Sequence, residues 1–498
     1  MLYPGDRLPA MSRFFPARLG GLVATVLAGL LCAPMALAQS PASATPAALP
    51  PEVEAALARA RLPRESLAVL VVPVEPARSG RAAPERLSWR AQEPVNPASV
   101  MKLVTTFAAL EQLGPSYVWN TPVYLDGPVQ GGVLKGNLYL RGQGDPKLVV
   151  ERLWLLLRRL QGQGVQAIEG DIVLDRSAFS VPEHDPGRFD GEPNRPYNAA
   201  PDALLINYQA MAMGFVPDPQ AGVARVQYEP PLAGLQLQAS VPLAAAGTAC
   251  GDWRTGLRAE LSDPQRVIFQ GVYPAACGDR QWQLAPPQPQ LFAARAIEGM
   301  WRGLGGRLTG QVRDGRVPAG LQPAFSMASP PLGEVVRDIN KFSNNVMTQQ
   351  VFLTLGLQKA GRGSFDGARE ALRQWWLQRM GQAEPPVVDN GAGLSREARI
   401  TAQSLARMLQ VAWASPVMPE FMASLPIAGV DGTLRRSQSR AQGAAHLKTG
   451  SLRDVNAIAG YVLAPSGHRY VLVAVVNHPN AGAARPVLDA LLDWTVRE

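Results

Sequence analysis

The chain has 498 residues, 47% of them apolar, and carries a formal charge of +8 at pH 7. That length exceeds one compact core and implies two or three domains, while the apolar fraction excludes a disordered or fibrous chain. Arginine supplies nearly all the positive charge, and no basic run or aromatic-interleaved patch points to nucleic acid.

At the N-terminus, Arg13 and Arg18 precede an apolar run from Leu19 to Leu37, closed by Ala36-Leu37-Ala38. Charge, apolar stretch and small-residue exit make residues 1–38 a secretory signal peptide cleaved after Ala38. Cys250 and Cys277 then remain, and in an exported chain they are expected to form one structural disulfide. A basic exported protein is drawn to anionic polymers and, at most peripherally, to membrane surfaces.

Residues 39–50 read as a flexible leader. Pro51 to Ala60 suits a helix, with Val53, Ala56 and Leu57 on one face. Leu67 to Val74 is an apolar run fit for a buried strand, and Arg86 to Gln92 is a candidate partner. Asn96 as N-cap and Pro97 as first helical residue then open a core helix, patterned by Val100, Leu103, Val104, Phe107 and Leu110 and ending near Gly114.

From Val118 to Pro323 the texture changes. A small unit recurs as Leu134-Lys-Gly136-Asn-Leu138, Ile168-Glu-Gly170-Asp-Ile172 and Leu308-Thr-Gly310-Gln-Val312, with helices at 148–163 and 290–304 between copies. Three imperfect copies suit an inserted α/β domain better than a full solenoid. Within it, residues 216–288 alternate apolar and polar and hold both cysteines, as a nested β-rich subdomain does. Helices are expected again at 331–340, 344–357 and 365–380. Strands follow at 444–448, 457–463 and 470–476, then a closing helix at 486–496. Both chain ends thus supply strands and helices to one sheet.

Three short motifs carry chemistry: Ser99-Val-Met-Lys102, Ser343-Asn-Asn345 and Lys448-Thr449-Gly450. Ser99 and Lys102 share a helix face, in the first turn where a developing oxyanion is favoured. A serine hydroxyl needs a base, and that base must be uncharged when it acts. The whole chain has only six lysines, Lys102, Lys135, Lys147, Lys341, Lys359 and Lys448. Lysine loses its proton when buried or set beside a second cation, which arginine does not. Lys102 is therefore the candidate base and Lys448 the neighbouring cation. Thr449 and Gly450 at a strand edge suit a substrate carboxylate and a close backbone approach. The four histidines (His184, His446, His468 and His478) lack zinc spacing, and no HExxH or GxSxG occurs, so neither metal nor cofactor is expected.

These motifs resemble the SxxK, SxN and KTG triplet of penicillin-binding proteins and serine β-lactamases. The long insert resembles the low-molecular-mass class C D-alanyl-D-alanine carboxypeptidase/endopeptidases. So do Gly142-Gln-Gly-Asp145-Pro146, Pro196-Tyr-Asn-Ala-Ala-Pro201, Asp389-Asn-Gly-Ala-Gly-Leu-Ser-Arg396 and Gly429-Val-Asp-Gly-Thr-Leu434. The resemblance implies an α/β (α+β) transpeptidase/β-lactamase-like domain at 39–117 and 324–498, an antiparallel sheet flanked by helices. The inserted α/β domain is then 118–323, with its nested β-rich subdomain at about 216–288. It implies a periplasmic serine D-alanyl-D-alanine carboxypeptidase/endopeptidase acting on peptidoglycan stem peptides and cross-links, with β-lactams as covalent inhibitors. Ser99 is then the nucleophile and Lys102 its base. Ser343 relays a proton under Lys448, and Asn345 holds the substrate backbone and Lys102. The N–H groups of Ser99 and Ser451 form the oxyanion hole. Ser395 and Arg396 face the cross-link side chain, whose free amine meets Asp190 or Glu192. The family's commoner Asp-Gly-Ser-Gly is Asp389-Asn-Gly-Ala-Gly here, which removes the contacts of its serine. A β-lactamase-like hydrolase and a non-catalytic wall-binding scaffold are the competing readings; rapid cephalosporin turnover marks the first and absence of penicillin binding the second.

Overall fold

The computed structural model describes residues 48–75, 85–263 and 265–497; the expected signal peptide lies outside them. The two ends of the chain meet in one five-stranded sheet, ordered Ala445–Leu452, Val455–Leu463, Arg469–Asn477, Leu67–Pro73, Leu87–Trp89. Every pairing is antiparallel. Alternate residues divide between two cores. Val69, Val71, Leu472 and Ala474 pack with the helices Pro51–Arg59 and Arg485–Val496. Leu70, Val72, Val471 and Val473 pack with the helices Lys102–Leu113 and Ala402–Trp413. Helices on both faces explain why 67–74 reads as a continuous apolar run rather than an alternating one.

The core helix differs from its expected form. Its α-helical part runs only over Lys102–Leu113, preceded by a 3₁₀ turn at Ala98–Met101. Asn96 does cap the entry, its Oδ1 accepting from the Ala98 N–H at 2.9 Å. Ala98, however, is left-handed at φ 47°. Other backbone approaches this turn closely: a Cβ on Gly393 would lie 1.9 Å from the Ala98 carbonyl oxygen, and one on Gly450 2.5 Å from that of Pro97. The Ser99 turn is wedged between two glycine backbones.

The three repeat copies stack side by side. Leu138–Arg141, Ile172–Asp175 and Val312–Asp314 pair in parallel, as do Val133–Leu134, Ala167–Ile168 and Arg307–Leu308. The residue after each of the first two glycines binds the next copy. Asn137 Oδ1 accepts from Asp171 N at 2.8 Å, and Asp171 Oδ1 from Gln311 N at 3.0 Å. The repeat is therefore a short ladder inside an α/β layer covered by the helices Val150–Gly162 and Phe292–Gly303. A four-stranded and a three-stranded sheet follow between Met211 and Leu284, around stacked Phe215 and Tyr273. The Cys250–Cys277 disulfide lies here, Cα–Cα 4.7 Å. Among the described residues no helix is long and apolar enough to cross a membrane.

Candidate active site

Ser99, Lys102, Ser343, Asn345 and Lys448 arrive from different elements. Ser99 sits on the 3₁₀ turn and Lys102 opens the helix behind it. Ser343 ends the helix Leu332–Phe342 in a left-handed conformation (φ 58°, ψ 37°), and Asn345 begins the next, Asn345–Ala360. Asn344 makes that sharp junction possible by capping the second helix, its side chain accepting from Met347 N. Lys448 lies on the Ala445–Leu452 strand at the sheet edge.

Lys102 is wholly buried, and its Nζ lies 2.6 Å from Asn345 Oδ1, 2.6 Å from the Ala392 carbonyl oxygen and 3.0 Å from Ser99 Oγ. An uncharged amine has two N–H donors and one lone pair. In that form two donors would satisfy Asn345 and Ala392 and leave the lone pair for the Ser99 hydroxyl. Burial, then the charge of Lys448, hold Lys102 well below the ordinary lysine range. Lys448 is itself fully buried and pushed down to about 7 by desolvation. Its Nζ donates to Ser343 Oγ and to the Thr449 carbonyl, both at 2.8 Å. Each serine hydroxyl thus touches one lysine.

These groups open on a cleft of about 460 Å³ lined by Ser99, Ser343, Asn345 and Ser451, with Phe189, Asp190, Tyr197 and Arg396 along the wall. Gly450 lets the edge strand pass against Pro97 and Ser99. Thr449 Oγ1 donates to Thr433 Oγ1 at 2.7 Å. Arg396 reaches the cleft, donates to Asp454 at 2.8 Å and covers the Phe189 ring at 4.6 Å.

One expectation changes and two gain detail. Ser395 does not face the cleft: it is buried, and its Oγ accepts from the backbone N–H groups of Glu397 and Ala398, as a turn serine does. Of the acidic pair, Asp190 lines the cleft, held by Tyr197 Oη and Asn198 Nδ2, whereas Glu192 pairs with Arg195. Asn345 does hold Lys102, but its Nδ2 also donates to the Tyr197 carbonyl at 3.1 Å. Phe189, Tyr197, Thr433, Asp454 and the Ala392 carbonyl were not read from sequence. Three of these, Tyr197, Ala392 and Thr433, lie in stretches quoted for the resemblance, and that was the only signal for them.

With this geometry, comparisons with known proteins agree. A family model described as the D-Ala-D-Ala carboxypeptidase 3 (S13) family matches residues 49–497. The chain is 31% identical over 418 residues to a D-alanyl-D-alanine carboxypeptidase of Actinomadura sp. (strain R39), covering 79% of this chain and 75% of that protein. It is 27% identical over 398 residues to the D-alanyl-D-alanine carboxypeptidase DacB of Haemophilus influenzae, covering 77% and 81%. Its fold is similar to the crystal structure of penicillin binding protein 4 from Haemophilus influenzae, with TM-score 0.70, 24% identity, and coverage of 90% of this chain and 99% of that one. The chain belongs to the D-Ala-D-Ala carboxypeptidase 3 (S13) family.

Proposed function

We propose that this enzyme cuts D-alanyl-D-alanine ends and D-alanyl cross-links of peptidoglycan stem peptides through an acyl-enzyme on Ser99, and that β-lactams acylate the same hydroxyl. The observation that carries this reading is the 3.0 Å approach of Ser99 Oγ to the buried, proton-poor Nζ of Lys102. Ser99 Oγ bonds to the carbonyl carbon of the penultimate D-alanine as its proton passes to Lys102. The N–H groups of Ser99 and Ser451 receive the oxyanion. The C–N bond then breaks, the leaving amine taking a proton from Ser343, whose hydroxyl Lys448 replenishes. Lys102 then gives up the Ser99 proton, by way of solvent, to restore Lys448, and the water that hydrolyses the ester passes one proton to Lys102 and from it back to Ser99 Oγ. The outer edge of the 445–452 strand beyond Leu447, where its pairing with the 426–428 segment ends, suits an extended peptide, with Thr449 at its carboxylate and Asp190 and Arg396 at its side chain.

This reading uses a catalytic body of 39–117 and 324–498, an insert at 118–323 and a nested unit at 216–288. It also requires export through the 1–38 signal to the periplasm, where its substrate is. Intact mass spectrometry after benzylpenicillin treatment tests it. One covalent adduct is expected on the parent and none on Ser99→Ala. An adduct on both, or on neither, overturns the assignment, and repeated fast cephalosporin hydrolysis would favour a β-lactamase.

A further inference from the structure

Lys102, Lys341 and Lys448 are all buried, and only Lys341 has no part in the reaction above. It lies two residues before Ser343. Its Nζ donates to Asp431 Oδ2 and to the Leu425 carbonyl, both at 2.6 Å. Asp431 Oδ1 in turn accepts from Ile427 N at 2.8 Å, and Gly429 N donates to the Leu434 carbonyl at 3.0 Å. These bonds close residues 425–434 into a loop that ends in the 3₁₀ turn Gly432–Leu434. The turn rests on the last residues of the helix Leu332–Phe342. Gly432 is left-handed at φ 56°, and a Cβ there would lie 2.6 Å from the Lys341 carbonyl oxygen. The helix that delivers Ser343 therefore also anchors this turn.

What the turn delivers is Thr433, which is exposed and whose Oγ1 accepts from Thr449 Oγ1 at 2.7 Å. Thr449 follows Lys448, whose Nζ meets Ser343, and precedes Gly450, where a Cβ would lie 3.2 Å from Ser99 N. The two hydroxyls thus border the reacting groups. A carboxylate only accepts, and a hydroxyl has one proton to give. The Thr449 proton is directed at Thr433, so the Thr433 proton is the one left to face outward. Thr449 alone does not serve both oxygens of a carboxylate. Two adjacent hydroxyls, each free to rotate, give one proton to each oxygen. The negative charge of Asp431 in the same loop is balanced by Lys341, which lessens its repulsion of an incoming anion.

We infer that Thr433 is the second hydroxyl donor to the carboxylate of the leaving residue, and that the Lys341–Asp431 pair positions it. The inference rests on the peptidase reading above, in which Thr449 meets that carboxylate. Thr433 binds substrate, whereas Lys341 and Asp431 act only through the turn.

Two esters of one stem peptide test it, one ending in D-alanyl-D-lactate and the other in D-alanine ethyl ester. They differ only in the carboxylate of the leaving group. The parent is expected to favour the first in kcat/KM. Thr433→Val, which keeps the shape and removes the hydroxyl, should lower that preference about ten-fold, the worth of one hydrogen bond to a charged group. Thr433→Ser should keep it. Lys341→Met/Asp431→Asn, which releases the turn with no net change of charge, should lower it too. Where that double variant does not fold, Gly432→Ala, whose added carbon displaces the turn, carries the same expectation. Equal kcat/KM for both esters in the parent, a Thr433→Val preference like the parent's, or a Thr433→Ser loss as large as that of Thr433→Val overturns the carboxylate role. A released or displaced turn with the parent's preference overturns the positioning role. In each of these cases turnover of the esters leaves the peptidase reading standing. Should the parent turn over neither ester, that reading has failed and this inference falls with it.

Discussion

Lys448 shows how one residue is placed for chemistry at the expense of stability. An ordinary lysine holds its proton to about 10.5, and here burial brings release down to about 7. Between those values the unfolded chain binds more protons than the folded one, so stability rises with pH across that window and is lowest below it. Lys448→Met removes the burden. At pH 7 its melting midpoint should exceed that of the parent by about 2–4 °C, and the gap should narrow by pH 9, as calorimetry would read. Penicillin acylation should fall about a hundred-fold or more. The residual acylation should need a higher pH, because Lys102 no longer feels the Lys448 charge. A variant less stable at pH 7 than at pH 9 relative to the parent would contradict this account. Lysine scarcity was readable from sequence. Burial explains Lys102 and Lys448, and also Lys341, whose Nζ donates to Asp431 and to the Leu425 carbonyl, both at 2.6 Å.

At the scale of elements, the Ser99 turn is held by the backbones of its neighbours. Gly393 is left-handed at φ 75°, and its missing Cβ leaves room for the Ala98 carbonyl. Gly393→Ala therefore carries both strain and a clash with main chain, and should displace Ser99. Since displacements near 1 Å cost about a hundred-fold in rate, its acylation rate should fall at least that far in stopped-flow measurements. Gly131→Ala is the control: it is also left-handed, but nothing lies within 4 Å of the added carbon. It should cost about 1 kcal/mol and leave acylation intact. The sequence carried the helices and the central strands well, since their apolar spacing is local. It carried Ser99 and Lys102 together for the same reason, being one turn apart. The helix Ala402–Trp413 had the same apolar spacing in Leu405, Met408, Leu409 and Ala412 and went unread among the glycines and prolines around it. What no local pattern holds is the meeting of Tyr197 with Asn345, or of Arg396 with Asp454, which join segments far apart in the chain. Ser395 was misjudged because a turn serine and a binding serine look alike until the neighbouring N–H groups are located.

Across the whole molecule, the catalytic cleft and the Cys250–Cys277 bridge sit in different cores. The bridge belongs to the cluster of Phe215, Trp253, Phe269 and Tyr273, whereas Val100 and Met101, next to Ser99, pack with the helices against the central sheet. It closes a loop with a sequence separation of 27, which corresponds to roughly 3–4 kcal/mol of restricted unfolded-chain freedom. That stabilisation should be felt where the loop is. In a Cys250→Ala/Cys277→Ala variant, limited proteolysis should cut within 244–280, where two short sheets meet with few long helices to hold them. The penicillin acylation rate should stay within about two-fold of the parent, since independent sites far apart contribute separately. A variant that loses acylation in step with the β-rich unit would instead mean that the insert and the catalytic sheet unfold as one body. Such coupling would have to run through the hydrophobic cluster that the β-rich strands share with the helices Val150–Gly162 and Phe292–Gly303.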